Sequence, residues 1–218
     1  MPETTQIADA AQDASSRRRF LQLAGGGGAA AAAAFLAACG SDDKKTTAST
    51  AATTKAASAG AVADIAILNY ALTLEHLETD FYAKVVDSGL LKGSELEFAK
   101  HVGETERQHV AALAGTIQKL GGKPVAAPMT KFPLESRKAV LELAATVENL
   151  GAAAYLGKAA DITSPEVLAA ALSIHSVEAR HAAALNRLLG KSPTPNGAFG
   201  MPATEKQVLA AVQPFIVS

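Results

Sequence analysis

Two stretches of the chain place a carboxylate three residues before an imidazole: Glu106-Arg107-Gln108-His109 and Glu178-Ala179-Arg180-His181. Residues three apart share one side of a helix, so each pair would form a two-pronged metal clamp aimed at a single neighbour. Either pair alone is a weak signal, but the surroundings repeat as well. Glu75 precedes Glu106 by 31 residues and Glu148 precedes Glu178 by 30. A tyrosine follows each of these glutamates by seven residues, at Tyr82 and Tyr155. Seven residues is about two helical turns, so each tyrosine shares its glutamate's stripe. The chain therefore reads twice as Glu, Tyr, Glu-x-x-His, and all four glutamates fall near mid-helix, where they would meet at one level.

Four carboxylates and two imidazoles in an alanine-rich interior need compensation, because a buried unpaired carboxylate either costs several kcal/mol or takes up a proton. Divalent cations supply it. Oxygen and imidazole donors without thiolate suit iron or manganese, and zinc is compatible. The expected ligands of two ions are Glu75, Glu106, His109, Glu148, Glu178 and His181. Glu78 shares a face with Glu75 and competes with it as the ligand from the first helix. His175, three residues before Glu178, is placed either to orient a ligand or to fill the rim of the bundle. Tyr82 and Tyr155 are placed to bond the carboxylates or relay an electron, although a buried hydroxyl needs a partner in any fold. His76 lies about 100° around its helix from Glu75 and is expected at the surface or behind the ligands. His101 and Glu104 are expected in solvent.

These side chains require four helices. From Val62 to about Ser88, Ile65, Leu68, Leu72, Leu77, Phe81 and Val85 recur at helical spacing and Gly89 marks a stop. A second helix is expected from a cap at Ser94 to Gly121-Gly122, and a third from about Pro133 to Asp161. A fourth starts at Ser164-Pro165-Glu166, with serine as cap and proline in the first turn, and closes at Gly190. The stretch Gly121 to Phe132 carries Pro124 and Pro128 and no helical period; extended, it spans about 40 Å. That length permits a crossover along a helical bundle and equally a plain up-and-down hairpin. After Pro193-Thr194-Pro195-Asn196-Gly197, Thr204 and Gln207 form the pattern of a capping box, with Phe215 and Ile216 expected to pack back on the bundle.

The first sixty residues read as an address. Ser16-Arg17-Arg18-Arg19-Phe20-Leu21 precedes a weakly apolar stretch of Gly, Ala and Leu that ends at Leu36-Ala37-Ala38-Cys39. Its apolar part is too short and too glycine-rich for a spanning helix. The Arg17-Arg18 pair resembles a twin-arginine signal, and Leu36-Ala37-Ala38-Cys39 resembles the lipobox in which Cys39 would be lipidated. Residues 1–39 are thus expected to be an export signal. Residues 40–60, rich in Ser, Thr, Ala and Lys, are expected to be a disordered tether, residues 61–190 the bundle and residues 191–218 an extension packed on it. Lipidated Cys39 would hold the protein at a membrane in the cell envelope or periplasm.

Composition agrees with an all-α fold: 49% of the 218 residues are hydrophobic but only 5% aromatic. A net charge of −1 offers no concentrated basic face for nucleic acid. One cysteine permits neither an intrachain disulfide nor a thiolate cluster built from this chain alone.

The order Glu, Glu-x-x-His, Glu, Glu-x-x-His resembles bacterioferritin and the erythrin domain of rubrerythrin. Leu68-Asn69-Tyr70-Ala71-Leu72-Thr73-Leu74-Glu75-His76-Leu77-Glu78 with Phe81-Tyr82 resembles the exported ferritin-like family that includes plant desiccation-related proteins. The resemblance covers residues 61–218. It implies a ferritin-like four-helix bundle with a long connection between helices 2 and 3, holding two metal ions with iron favoured. It further implies a di-iron oxidoreductase of ferroxidase or peroxidase type that uses oxygen or peroxide in iron or oxidative-stress handling. On that reading Glu106 and Glu178 bridge the ions, Glu75 and Glu148 are terminal or partly bridging, and His109 and His181 bind one ion each. A dimanganese, catalase-like enzyme and a non-catalytic, stress-protective bundle are the alternatives. No Cys-x-x-Cys segment is present, so the reductant would come from elsewhere, and a lipid anchor favours a monomer or small oligomer over a storage cage.

Overall fold

The computed structural model describes residues 58–217. The expected export signal, Cys39 and the tether up to residue 57 lie outside the described residues. The described elements are α1 (Ala59–Ser88), α2 (Gly93–Lys119), α3 (Arg137–Lys158) with a 3₁₀ turn at Ala159–Asp161, α4 (Pro165–Leu188), and a short α5 (Glu205–Val212) followed by a 3₁₀ turn at Gln213–Phe215. None of these helices is long and apolar enough to cross a membrane.

Local chemistry sets most boundaries. Ser58 caps α1 through Ala61 N, and Gly89 ends it in the left-handed region at φ 67°, which glycine adopts without steric cost. Ser164 caps α4 through Val167 N, with Pro165 in its first turn. Thr204 and Gln207 complete the capping box of α5. Two expected starts move. α2 begins at Gly93 with Lys92 in the cap position and no side-chain cap, one residue ahead of Ser94. α3 begins at Arg137, where the Ser136 hydroxyl accepts from Ala139 N, because the preceding Phe132 is held in the core between the Phe81 and Phe215 rings.

The path between α2 and α3 is the long crossover. The Tyr82 hydroxyl of α1 reaches Glu148 of α3 while the Tyr155 hydroxyl of α3 reaches Glu75 of α1, a crossed register that makes α1 and α3 antiparallel. The connection must then return the length of the bundle. It does so along α1: Asn69 Nδ2 donates to Lys123 O, Val125 N donates to Asn69 Oδ1, and Lys84 Nζ donates to Thr130 O. At the far end Arg137 pairs with Glu95, tying the start of α3 to the start of α2.

The C-terminal extension closes over this framework. Ala203 N donates to Ala153 O, Lys131 N to Phe215 O and Val217 N to Met129 O, with one antiparallel bridge between Thr130 and Ile216. Val208 and Val212 of α5 are buried, and Phe215 and Ile216 pack on the core. The core itself lies in two parts on either side of a polar layer. One part holds Phe81, Val85, Val102, Val140 and Leu141; the other holds Leu68, Leu72, Leu113 and Ile117.

Candidate metal centre

The polar layer consists of the residues the repeat singles out. Glu75, Glu106, Glu148 and Glu178 are completely buried, and His109 and His181 are 8% and 6% exposed. Each helix contributes from its middle, where apolar neighbours one turn away leave these side chains no route to water. Two groups form: Glu75, Glu106, His109 and Glu178, and then Glu106, Glu148, Glu178 and His181, with one donor atom from every member of a group within 4.8 Å of the others. Glu106 and Glu178 belong to both. Among the described residues no other set of acidic, histidine or cysteine side chains converges in this way.

The imidazoles sit at the foci. His109 Nδ1 lies 2.9 Å from Glu106 Oε2, 3.2 Å from Glu75 Oε2 and 3.0 Å from Glu178 Oε1. His181 Nδ1 lies 3.1 Å from Glu106 Oε1 and 3.2 Å from Glu148 Oε2. An imidazole nitrogen has one in-plane hydrogen or lone pair, so it cannot serve three carboxylates by hydrogen bonding. Both oxygens of Glu178 and Oε1 of Glu106 accept no aligned hydrogen bond; the nearby imidazole nitrogens attract them only as charges. Buried carboxylate oxygens without donors are costly, and several of them around one nitrogen match the donor set of a cation. Two metal ions could be held here.

Without metal, protons must balance the charge. Burial would lower the His109 imidazole, but Glu106, Glu178 and Glu75 outweigh it and push its pKa up to about 12. His181 is pushed up to about 10 in the same way by Glu106 and Glu148. Burial likewise opposes ionisation of Glu106, yet His109 and His181 hold its carboxyl down at about 2. Burial, joined by Glu148 and Glu106, pushes Glu178 up to about 8 against the pull of His109. Burial also raises Glu75 and Glu148 above the ordinary carboxylate range.

The tyrosines close the second side of two carboxylates. Tyr82 OH donates to Glu148 Oε1 and Tyr155 OH donates to Glu75 Oε1, each at 2.5 Å. Of the two competing glutamates on α1, Glu75 enters a four-donor group and Glu78 does not. Glu78 is nevertheless 3% exposed and raised well above the ordinary carboxylate range, first by burial and then by Glu178. His175 does not contact the cluster by a hydrogen bond. Its Nδ1 pairs with Ala152 O, and the ring lines a groove beneath residues 193–201. His76 is half-buried, and His101 and Glu104 are exposed.

A family model for the ferritin-like domain matches residues 63–191, a span that contains every member of both groups. The chain belongs to the ferritin-like domain family. A solved structure agrees on the fold of this ferritin-like chain. A conserved hypothetical protein from Mycobacterium tuberculosis is 22% identical, with a TM-score of 0.54 over 67% of this chain and 99% of its own. A hypothetical protein from Methanococcus jannaschii is 14% identical, with a TM-score of 0.48 over 76% of this chain and 98% of its own. No curated protein sequence matches the chain.

Sequence reasoning passed over one residue at the ferritin-like centre, Gly151. A side chain there would meet Glu78 Oε1 at 3.0 Å and Glu178 Oε2 at 3.6 Å. The repeat could have revealed it, because Gly151 stands 73 residues after Glu78, the interval that also relates Glu148 to Glu75.

Proposed function

We propose that this ferritin-like protein is an exported di-metal oxidoreductase that binds and oxidises Fe(II) with oxygen or peroxide at the cell envelope, anchored through lipidated Cys39. The observation that carries the metal reading is the crowding of carboxylate oxygens around single imidazole nitrogens, with both Glu178 oxygens left without a hydrogen bond. Glu75, Glu106, His109, Glu148, Glu178 and His181 would be the ligands. Glu106 and Glu178, common to both groups, would be shared between two ions. When bound, the metals supply the redox chemistry and the Lewis acidity.

The chain supplies position, charge and dryness. Tyr155 and Tyr82 fix Glu75 and Glu148 by donating to one oxygen of each, leaving the other oxygen toward His109 or His181. The apolar layers on either side exclude water, which strengthens every charge interaction between them. The two imidazoles would give up their protons when metal enters and regain them when it leaves. Iron fits an oxygen-rich set with two imidazoles, and so does manganese.

The charge balance favours a second reading of a different class. His109 and His181, both held protonated, can offset two carboxylates with no metal present, as a purely structural bundle would require. Elemental analysis of the purified protein beside a Glu106→Ala, His109→Ala variant decides between them. About two iron or manganese per chain, lost in the variant, supports the enzyme, and which metal is found separates the iron from the manganese reading. No metal after anaerobic loading with Fe(II) or Mn(II) refutes both and leaves the structural bundle. Globomycin-sensitive processing and membrane fractionation that depend on Cys39 test the anchor.

A further inference from the structure

The two halves of the centre match residue for residue except at one step. Glu75 pairs with Glu148, Tyr82 with Tyr155, Glu106 with Glu178 and His109 with His181, but the counterpart of Glu78 is Gly151. That difference is built into the packing. α1 and α3 run antiparallel, so Glu78 faces α3 at Gly151, and its Oε1 occupies the place beside the missing side chain, 3.0 Å from where a Cβ would stand. Glu178 Oε2, one of the oxygens without a hydrogen bond, borders the same space at 3.6 Å. Glu78 is 3% exposed and lies among Leu74, Leu77, Val147, Leu150, Gly151 and Val212. Its outer side is lined by Leu77, Val147, Leu150 and Val212 of α5, which leave the carboxylate only a narrow opening.

A carboxylate with no protein donor, beside one whose two buried oxygens accept no hydrogen bond, points to a cation as the common partner. We propose that Glu78 is a fifth carboxylate of the centre, serving only the ion bordered by Glu178 Oε2, and that Gly151 is the cradle that admits it. The inference rests on the di-metal reading and adds to it that the two metal positions are unequal. A hard divalent cation gains affinity with each carboxylate oxygen it receives, so the position that Glu78 reaches binds more tightly than its counterpart. Alanine at 151 would press on the Glu78 carboxylate and displace it by a few tenths of an ångström.

The test is Mn(II) binding to the full chain purified in detergent, followed by isothermal titration calorimetry and by the electron paramagnetic resonance signal of unbound Mn(II). Two ions of unequal affinity are expected for the wild type. Glu78→Gln should weaken the tighter one by about tenfold or more while leaving the other within about threefold. Gly151→Ala should act in the same direction. Circular dichroism and the metal-free melting temperature monitor folding, and the neutral Glu78→Gln chain should melt no lower than wild type. If Gly151→Ala fails to fold, Glu78→Gln alone decides. Two Mn(II) bound with unchanged affinities in Glu78→Gln, or an equal loss at both positions, overturns this proposal and leaves the di-metal reading intact. No Mn(II) bound by the wild type removes both.

Discussion

Filling the centre with a divalent metal should drive out protons, and its affinity should climb steeply with pH. At pH 7 the metal-free cluster keeps a proton on His109 Nδ1, held up to about 12, on His181, held up to about 10, and on Glu178, held up to about 8. Burial sets the scale of these shifts and the facing carboxylates set the sign for the histidines. A cation that takes these atoms as ligands must displace all three protons, because imidazole binds metal only in its neutral form and a carboxyl only as carboxylate. Two ions then release at least about three protons, roughly 1.5 or more per ion, which makes the affinity of each ion rise at least about 30-fold per pH unit, or about 2 kcal/mol. The Glu178 contribution should fade above pH 8, making the slope shallower. Calorimetric titration with Mn(II) at pH 6.5 and 7.5, in buffers of different ionisation enthalpy, counts the protons directly. An affinity that is flat between pH 6 and 8, or a release below about half a proton per ion, would refute this and mean that the imidazoles are not displaced onto metal.

The same protons govern the metal-free fold. His109 and His181 are raised above their ordinary value of 6.5, so their contribution is full below about 6.5 and fades as pH climbs toward 10 and 12; Glu178, raised from 4.5, loses its contribution between 4.5 and about 8. The folded chain then holds more protons than the unfolded one, and metal-free stability should fall by about 1.4 kcal/mol per pH unit for each excess proton between pH 5 and 9, seen as a declining melting temperature. Glu106 acts oppositely: its contribution is present above 4.5 and lost as pH falls toward about 2. Glu178→Gln should raise the metal-free melting temperature while abolishing binding of both ions, since Glu178 belongs to both groups; a lower melting temperature would contradict its account as an unsatisfied buried carboxylate. Tyr155→Phe removes the donor to Glu75 Oε1 and should cost about 1.5–3 kcal/mol of metal-free stability by denaturant titration. Gly157→Ala would drive a Cβ into Ala203 O and should release the C-terminal extension, read as faster proteolysis within residues 191–204 and a loss of about 1–3 kcal/mol.

The sequence by itself determined that four helices would carry four carboxylates and two imidazoles at matching depth. Residue type and helical period suffice for that, because a three-residue step and a seven-residue step each return to the same face whatever the helix packs against. Caps such as Ser164-Pro165 and Thr204 with Gln207 were equally legible, since their chemistry is complete within a few residues. The tertiary structure decided what depends on distant partners. The crossover could be distinguished from a hairpin only by the antiparallel register of Tyr82 on Glu148 and Tyr155 on Glu75. Glu75 and Glu78 lie one turn apart on one stripe, and only the position of α2 and α4 beside them puts Glu75 in a four-donor group. His175 shares a face with Glu178 by spacing, yet the neighbouring α3 offers it the Ala152 carbonyl instead. Gly151 carries no chemistry of its own, and its part became visible once α3 was seen to lie against α1 with a carboxylate in the space a side chain would fill.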